Sequence, residues 1–339
     1  MNSIFTILLK KIVFFLQYIV YEIKYYLIGG QAIIDDLLHG KYNICEIEDR
    51  SGKIAVVTGG ARGIGSVLVK KLLQCNMHVI ICCRDVNRGS QLIEKYRKNG
   101  IKTGFAYIYH LDLTSLKSVR DCAKKISQDF IQLNILVNNA GIMFSPYSET
   151  EEGFESQWGV NYMGHFYLSH LLLPLLEKGG SDTKGRIVNI TSCAHSVINL
   201  IQFDNINMKN YFITSKAYAQ SKLAQILFTI HLEKFLRKSN SNVHVLSVHP
   251  GVVNTDIFNG TILKIIFPWV LHYLCKSVDE GATTVLYPCI SSKLEGKGGL
   301  YLSNCCITSP SKLSENSNLQ NMLFNYTMKV LSINKFGNV

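Results

Sequence analysis

A short apolar run followed by closely spaced glycines constrains the fold of this chain more than any other feature. Residues 53–58 have the composition of a buried strand, and Gly59, Gly63 and Gly65 follow at once. A turn from strand to helix that brings backbone close to a phosphate leaves no room for side chains at such positions. The helix that begins near Ile64 would present free N–H groups and a positive dipole end to that phosphate. The turn therefore predicts a dinucleotide site.

The rest of the chain alternates between apolar strands and helices. Further strands are predicted at residues 78–83, 105–111, 135–138, 186–191, 243–248 and 301–302, and long helices at 153–176 and 215–236. Such alternation implies parallel pairing with right-handed crossovers. We therefore predict an α/β protein with a single Rossmann-type doubly wound parallel sheet of about seven strands and helices on both faces. This domain is expected at residues 49–310, between an N-terminal segment at 1–48 and a tail at 311–339 that is helical over 319–333.

Composition argues against two classes of function. The formal net charge of +11 is spread along the chain without a basic run, so no nucleic-acid binding is predicted. The ten cysteines show neither a Cys-x-x-Cys pair nor zinc-ligand spacing with histidine, so no metal site is predicted. Hydrophobic residues make up 47% of the chain, which is typical of a globular protein with a sizeable core.

The first 35 residues differ from the rest and have the pattern of a membrane-binding segment. Residues 12–21 form the longest uncharged stretch after the two lysines, about half of the ~20 residues that a spanning helix needs. On a helical wheel one side carries Lys10, Lys11, Gln17, Glu22 and Lys24, and the other carries Phe5, Leu8, Ile12, Leu16, Ile19 and Ile23. This pattern favours an interfacial anchor that lies in the membrane plane. A short spanning helix with snorkelling lysines, or a helix packed on the protein's own core, would also fit.

Ordered motifs across residues 50–305 resemble those of the short-chain dehydrogenase/reductase family. They are Thr58-Gly-x3-Gly63-Ile64-Gly65, Asn138-Asn139-Ala140-Gly141, Ser192, Tyr218-x3-Lys222, and Pro250-Gly251 with Thr255. Within the family, residues 83–85 and 218–229 are similar to the retinol dehydrogenase-like branch, which acts on lipophilic alcohols and carbonyls, including retinoids and polyprenoids. The resemblance implies an oxidoreductase with a nicotinamide cofactor and a lipophilic small-molecule substrate.

The resemblance also implies roles for individual residues at the cofactor. Asp112 would contact the adenine, and Thr255 would hold the nicotinamide amide or a phosphate. The full expected set is Thr58, Gly59, Arg62, Gly63, Ile64, Gly65, Arg84, Asp112, Leu113, Asn139, Ala140, Gly141, Tyr218, Lys222 and Thr255. Two of these have an alternative role, since Asp112 would also suit a cap for the helix near Ser115, and Asn139 would also suit a turn.

The end of the second strand indicates which dinucleotide is preferred. An NAD site usually has a carboxylate there, which accepts a hydrogen bond from the ribose 2′-hydroxyl. This chain has Arg84 at that point, followed by Asp85, and Arg62 lies in the glycine turn. Two guanidinium groups can bind a 2′-phosphate that an acid would repel. We therefore expect NADP(H), while Asp85 leaves NAD(H) open.

Interconversion of an alcohol and a carbonyl requires a hydride at carbon and a proton at oxygen. Tyr218 is the expected proton donor and acceptor, although a free tyrosine has a pKa of about 10. Lys222 lies one helical turn further on, so its ammonium, together with the positive nicotinamide of the oxidised cofactor, is expected to favour the phenolate. Ser192 closes the fifth strand and is expected to donate to the substrate oxygen. The resemblance implies that Asn161 holds a water that links Lys222 to solvent.

An apolar stretch follows the expected nicotinamide loop. It covers residues 257–258 and 262–271, and we expect it to overhang the substrate, where it suits an isoprenoid or another long apolar chain. Contact with a membrane, or packing on the core, would also fit. We expect a membrane-associated protein, at the endoplasmic reticulum or on lipid droplets, and leave a homodimer open. The alternative function is a cofactor-binding regulator or scaffold without turnover, which would not need the four catalytic residues.

Overall fold

A computed structural model describes residues 2–338 except 182, 210 and 260, and it describes their side chains except at 2–11, 262 and 263. The strands are β1 (Ile54–Thr58), β2 (His78–Cys83), β3 (Phe105–His110), β4 (Ile135–Asn138), β5 (Gly185–Ile190), β6 (Val243–His249), β7 (Leu300–Ser303) and β8 (Cys306–Thr308). The helices are α1 (Asn2–His39), α2 (Gly63–Gln74), α3 (Val86–Lys98), α4 (Leu116–Asp129), α5 (Ser156–Trp158), α6 (Gly164–Gly179), α7 (Thr214–Lys238), α8 (Ile262–Ile266), α9 (Pro268–Tyr273), α10 (Val278–Ile290) and α11 (Ser317–Val330).

Among the described residues, eight strands form one sheet in the order β3-β2-β1-β4-β5-β6-β7-β8. The neighbouring strands are parallel except β7 and β8, where Leu302 lies opposite Ile307. The predicted doubly wound parallel sheet is confirmed. The prediction of about seven strands missed β8, because a strand of three residues is too short to show an alternating pattern.

Apolar layers on both faces of the sheet form the core. On one face, helices α6, α7 and α11 bring aromatic rings together, with the ring centroid of Phe166 4.8 Å from that of Phe228 and 5.4 Å from that of Phe324. On the other face, Leu72 of α2 and Val285 of α10 are fully buried. The central strands are covered on both sides, which explains why they are almost continuously apolar in sequence.

The single helix predicted over residues 153–176 is wrong. Gly153 has a φ of +78°, outside the helical region, and the helix begins only after Glu155, whose carboxylate accepts from the backbone N–H groups of Gln157 and Trp158. After α5 the backbone widens into a π-helical segment at Gly159–Met163 and then continues as α6. An extra residue of this kind changes which side chains face the sheet, and such segments occur often at functional sites.

Helix α1 lies against the domain with its second half. Its outer side exposes the apolar residues expected from the helical wheel, Ile12, Leu16, Ile19 and Ile23, and the stripe continues through Leu27, Ile34 and Leu37. Its inner side contacts the domain between residue 21 and residue 36, and nearer its start the Phe14 ring centroid lies 4.6 Å from that of Tyr211. These contacts agree with the alternative of packing on the protein's own core. Residues 12–42 are long and apolar enough to cross a membrane by length and composition alone. The side chains of Phe5, Leu8, Lys10 and Lys11 lie outside the described residues.

Candidate active site

A cavity of about 930 Å³ opens at the carboxyl ends of the central parallel strands. Open α/β sheets place their ligands at this edge, where the strand order reverses on either side of β1. Most of the residues expected at the cofactor line it, namely Gly59, Arg62, Gly63, Ile64, Gly65, Arg84, Asp112, Leu113, Asn139, Ala140, Gly141 and Thr255. Ser192, Tyr218 and Lys222 line the same cavity. The structure therefore brings the expected cofactor and catalytic residues together.

The glycine turn forms a cradle of backbone between β1 and α2. Gly59 and Gly63 have φ values of +65° and +53°, a region that favours glycine. A Cβ atom on Gly65 would lie 2.6 Å from Asn139 Nδ2 and closer still to the Gly59 carbonyl oxygen. Thr255, in the loop after β6, faces the turn from the other side, 3.9 Å from where a Cβ on Gly63 would lie. The cradle thus fits a group that needs close backbone approach, such as a pyrophosphate.

Thr58 lies behind the cavity wall and holds the turn in place. Its side chain is fully buried, and its Oγ1 accepts from the backbone N–H groups of Asn139 and Ala140 at 2.9 Å each. Asn139 Nδ2 donates in return to the Thr58 carbonyl oxygen at 2.8 Å. Asn139 therefore forms the hydrogen bonds of a turn residue, which is the alternative role considered from the sequence. It also lines the cavity. Together these bonds join the carboxyl ends of β1 and β4.

Three arginines line the cavity. Arg62, Arg84 and Arg88 all line it, and sequence analysis missed Arg88. The carboxylate of Asp85 accepts from the Arg88 backbone N–H at 3.0 Å and so caps α3. Arg88 follows Arg84 by four residues, so the spacing across the start of α3 was the signal that could have identified it.

Asp112 lines the cavity and also orders the turn after β3. Its Oδ1 accepts from Thr114 N at 2.9 Å and from Thr114 Oγ1 at 2.8 Å. The cap of α4 is Ser115, whose Oγ accepts from Ser118 N, so Asp112 does not cap that helix directly. Leu113 packs beside Gly164, where a Cβ would lie 2.9 Å from Leu113 Cδ2.

Tyr218 and Lys222 lie one turn apart on the buried face of α7. The hydroxyl of Tyr218 is within hydrogen-bonding reach of the Ser192 hydroxyl. Lys222 Nζ lies 5.6 Å from the centroid of the Tyr218 ring and donates to the carbonyl oxygen of Ile190, the last residue of β5, at 3.0 Å. Ser192 follows two residues later and caps a short 3₁₀ turn by accepting from Ala194 N at 3.2 Å. The end of β5 thus positions both the lysine and the serine beside the phenol.

Burial decides the protonation states of this pair. It raises the pKa of Tyr218 above its ordinary value, and the hydrogen bond with Ser192 only partly offsets this. It lowers the pKa of Lys222 from 10.5 to about 8. Burial therefore acts against the phenolate, and the expected effect of Lys222 together with an oxidised nicotinamide on the Tyr218 phenol stays a prediction. Near neutral pH the protein holds Tyr218 as a neutral phenol and Lys222 mostly as an ammonium.

Asn161 lies in the π-helical segment and fixes the loop after β4. Its Oδ1 accepts from Ile142 N at 2.9 Å, and its Nδ2 donates to the Ile142 carbonyl oxygen and to Ser221 Oγ, both at 3.0 Å. Its backbone carbonyl accepts from Gln225 Nε2 and lies 3.1 Å from His165 Nδ1. The Asn161 side chain thus connects the helix of Tyr218 to the wall of the cavity, and the water that it is expected to hold stays a prediction.

The second half of α1 forms a wall of the cavity that sequence analysis did not foresee. Tyr25, Tyr26, Gly29, Gly30 and Ile33 all line it. The Tyr25 ring meets Phe144 edge-on at 5.7 Å, and Phe144 lies 6.5 Å from the Tyr218 ring. These residues recur at spacings of three and four along α1, so a stripe facing the domain was present in the sequence. Because the whole segment is apolar, this stripe did not stand out in the sequence.

Part of the stretch after β6 lines the cavity, and its expected position over a substrate stays a prediction. Ile257, Phe258, Thr261 and Val270 contribute to the wall, whereas Leu271 is buried in the protein. Phe267 and Trp269, in the same stretch, are exposed. The side chains of Ile262 and Leu263, part of the same expectation, lie outside the described residues.

A family model described as short chain dehydrogenase matches residues 53–263. The chain belongs to the short-chain dehydrogenase/reductase family. It is 35% identical over 320 residues to human polyprenol dehydrogenase, covering 92% of this chain and 96% of that protein. It is 36% identical over 282 residues to human retinol dehydrogenase 11, covering 83% and 86% of the two chains. A solved structure of an uncharacterized protein from Mycobacterium paratuberculosis matches with a TM-score of 0.69 at 28% identity, covering 85% of this chain and 96% of that one.

Membership of this family accounts for the geometry of the cavity. The relatives place the chain in the retinol dehydrogenase-like branch, and it is an NAD(P)-dependent dehydrogenase/reductase. The family model ends at residue 263, while the sheet continues to β8 at Thr308.

Proposed function

We propose that this short-chain dehydrogenase/reductase is a membrane-associated, NADP(H)-dependent enzyme that interconverts a lipophilic alcohol and its aldehyde or ketone, with Tyr218 as proton donor and acceptor. The observation that carries the proposal is one cavity that joins a backbone cradle for a dinucleotide to the Tyr218, Ser192 and Lys222 group. A protein that only binds the dinucleotide would need the backbone cradle but not the Tyr218, Ser192 and Lys222 group.

Tyr218 is suited to protonate a carbonyl oxygen. The raised pKa of its hydroxyl keeps the proton in place at neutral pH until a substrate oxygen that gains negative charge can take it. When bound, the nicotinamide supplies or accepts the hydride at the substrate carbon. In the reverse direction the Tyr218 phenolate takes the hydroxyl proton of the alcohol.

Lys222 and Ser192 support that proton transfer from two sides. The pKa of Lys222 is lowered only to about 8, so at pH 7 most of the population carries a positive charge that stabilises the phenolate left after transfer. Ser192 lies beside the phenol, where its hydroxyl can donate to the same substrate oxygen. Asn161 acts indirectly, because its bonds to residue 142 and to Ser221 hold the cavity wall against α7.

The preference for NADP(H) rests on charge at the end of β2. Arg84 follows β2, and together with Arg62 and Arg88 it lines the cavity and matches the charge of a ribose 2′-phosphate. Asp85 is the group that an NAD enzyme would use, and here its carboxylate caps α3. Replacing Arg84 with alanine should raise the KM for NADPH while leaving that for NADH nearly unchanged. The matched control is Arg120→Ala, since Arg120 lies on α4 and bonds to Tyr167. Equal loss with both cofactors would contradict this assignment.

A lipophilic substrate is supported by the walls of the cavity and by the relatives. Tyr25, Ile33, Phe144, Ile257 and Phe258 offer apolar surface. The relatives named above are a polyprenol dehydrogenase and a retinol dehydrogenase, and both of these alcohols are long and apolar. The exposed apolar side of α1 supports membrane association with the helix lying in the interface, because its other side is bonded to the domain.

The test is cofactor oxidation by the purified protein in detergent, supplied with NADPH or NADH and a panel of polyprenal, retinal, steroid ketone and simple aldehyde. We expect faster oxidation with NADPH and with the long apolar carbonyls. Tight cofactor binding with no turnover of any carbonyl would instead support a cofactor-binding regulator or scaffold.

A further inference from the structure

We propose that the second half of α1 is a substrate-binding element and that Gly29 and Gly30 form a notch through which the apolar tail of a long substrate leaves the cavity toward the membrane. This inference rests on the proposed function, because it assigns the part of the substrate that lies far from the reacting carbon. It makes the membrane-binding helix a determinant of chain-length preference.

The inner side of α1 reaches the catalytic group itself. Tyr25 contacts the cavity wall at Phe144, and the nearness of Tyr218 is, after burial, the next cause that raises the pKa of Tyr25. Tyr26 lines the cavity while 42% of its surface stays exposed, so it marks the rim. From Tyr25 to Ile33, α1 therefore runs from beside the reacting groups to the mouth.

Two sets of polar contacts, one near the middle of α1 and one near its end, hold the helix in this position. Near its middle, Glu22 Oε1 accepts from Ser215 Oγ at 2.5 Å, at the start of the helix that carries Tyr218. Near its end, Asp36 accepts from Val252 N at 2.9 Å and pairs with Lys276 Nζ at 3.3 Å. A contact made only by apolar packing would not fix the register of the helix, but these bonds do. The notch consequently has a defined place over the cavity.

The two glycines leave an opening at that place. A Cβ atom built on Gly29 or on Gly30 would meet no described atom within 4 Å, although both residues line the cavity. Glycine is the poorest helix former apart from proline, so two in succession weaken a helix that is otherwise well formed. The open space between α1 and the stretch after β6 offers a reason for their presence.

The surroundings of the opening fit an apolar chain on its way to lipid. On α1, Leu27 and Ile34 flank the glycines and are 68% and 58% exposed. In the stretch after β6 that contributes Phe258 and Val270 to the same cavity, Ile266 and Trp269 are 59% and 54% exposed. These side chains would lie at the level of the acyl chains if α1 rests in the membrane surface. A tail that passes between them moves from one apolar environment to another without crossing water.

The experiment compares Gly29→Leu and Gly30→Leu with Gly40→Leu. Gly40 is also free of atoms within 4 Å of a built Cβ, and it lies outside the cavity just after α1. Leucine is a better helix former than glycine, so filling the notch should not weaken α1. We expect kcat/KM for a long-chain polyprenal to fall about tenfold or more in the notch variants. A single group that does not fit an apolar pocket typically changes kcat/KM by about that factor. Turnover of a single-isoprene aldehyde and NADPH affinity should not change, and Gly40→Leu should behave as wild type.

The outcomes separate this inference from the proposed function. If the wild type oxidises NADPH with polyprenal and the notch variants do so equally well, the inference is wrong and the enzyme assignment stands. An equal loss for the long and the short aldehyde would also overturn it, since that result indicates a disturbed catalytic group. If the wild type reduces neither aldehyde, the proposed function fails first.

Discussion

The buried ion pair between Asp36 and Lys276 connects α1 to the segment between α9 and α10, and its removal should be costly. The two side chains are only 4% and 5% exposed. Asp36 also accepts from Val252 N at 2.9 Å and from Asn304 Nδ2 at 3.1 Å. Asp36→Ala leaves a buried ammonium without its counter-charge and two donors without an acceptor. We expect the free energy of unfolding to fall by about 3–5 kcal/mol, the usual cost of breaking a buried pair from one side.

Urea unfolding followed by tryptophan fluorescence measures this loss, since Trp158 is 1% exposed in the core. Asp36→Asn is the isosteric control, because an amide oxygen can still accept from Val252 N; it should cost less than alanine. The double variant Asp36→Leu with Lys276→Met removes both charges and should recover most of the stability lost in Asp36→Ala. A loss below about 1 kcal/mol in Asp36→Ala, or no recovery in the double variant, would refute this reasoning.

Two further predictions test the cradle and the lysine. Gly65→Ala should lower the affinity for NADPH more than tenfold, because the added methyl group would press on Asn139 and on the Gly59 carbonyl. Gly40→Ala is the control. If fluorescence titration shows unchanged affinity in Gly65→Ala, the backbone cradle does not bind the dinucleotide as described. Lys222→Met should remove a pH dependence of the free energy of unfolding. In the wild type the folded pKa of Lys222, about 8, lies below the ordinary value of 10.5, so between these two pH values the unfolded chain binds more protons than the folded protein. The free energy of unfolding of the wild type relative to the variant should therefore rise by about 3 kcal/mol from pH 8 to pH 10.5 and stay constant below pH 8. Urea unfolding across that range measures the difference, and a constant difference would show that the lysine is not desolvated.

Local patterns predicted the sheet and the cradle because their causes are local. A buried strand followed by glycines permits few backbone paths, and the bonds between Thr58 and Asn139 only complete a turn that the motif already required. Tyr218 and Lys222 were placed correctly on one helical face for the same reason.

Properties that depend on distant parts of the chain were not predictable in this way. The contacts of the Asn161 side chain with residue 142 and Ser221 join segments that are distant in the sequence, and no local pattern reports them. The pKa of Tyr218 depends on how deeply the fold buries it, which no spacing in the sequence reports. The sequence did not show that α1 forms a wall of the cavity. A helix that contacts lipid and a helix that packs on protein are both apolar, so composition does not distinguish them.

The proton transfer assigned to Tyr218 is the central claim, and one pair of measurements addresses it directly. Tyr218→Phe removes the hydroxyl and keeps the ring, so NADPH should bind with wild-type affinity while the rate of NADPH oxidation with polyprenal falls by about 10²-fold or more. A variant that binds NADPH normally and turns over polyprenal at the wild-type rate would show that another group supplies the proton.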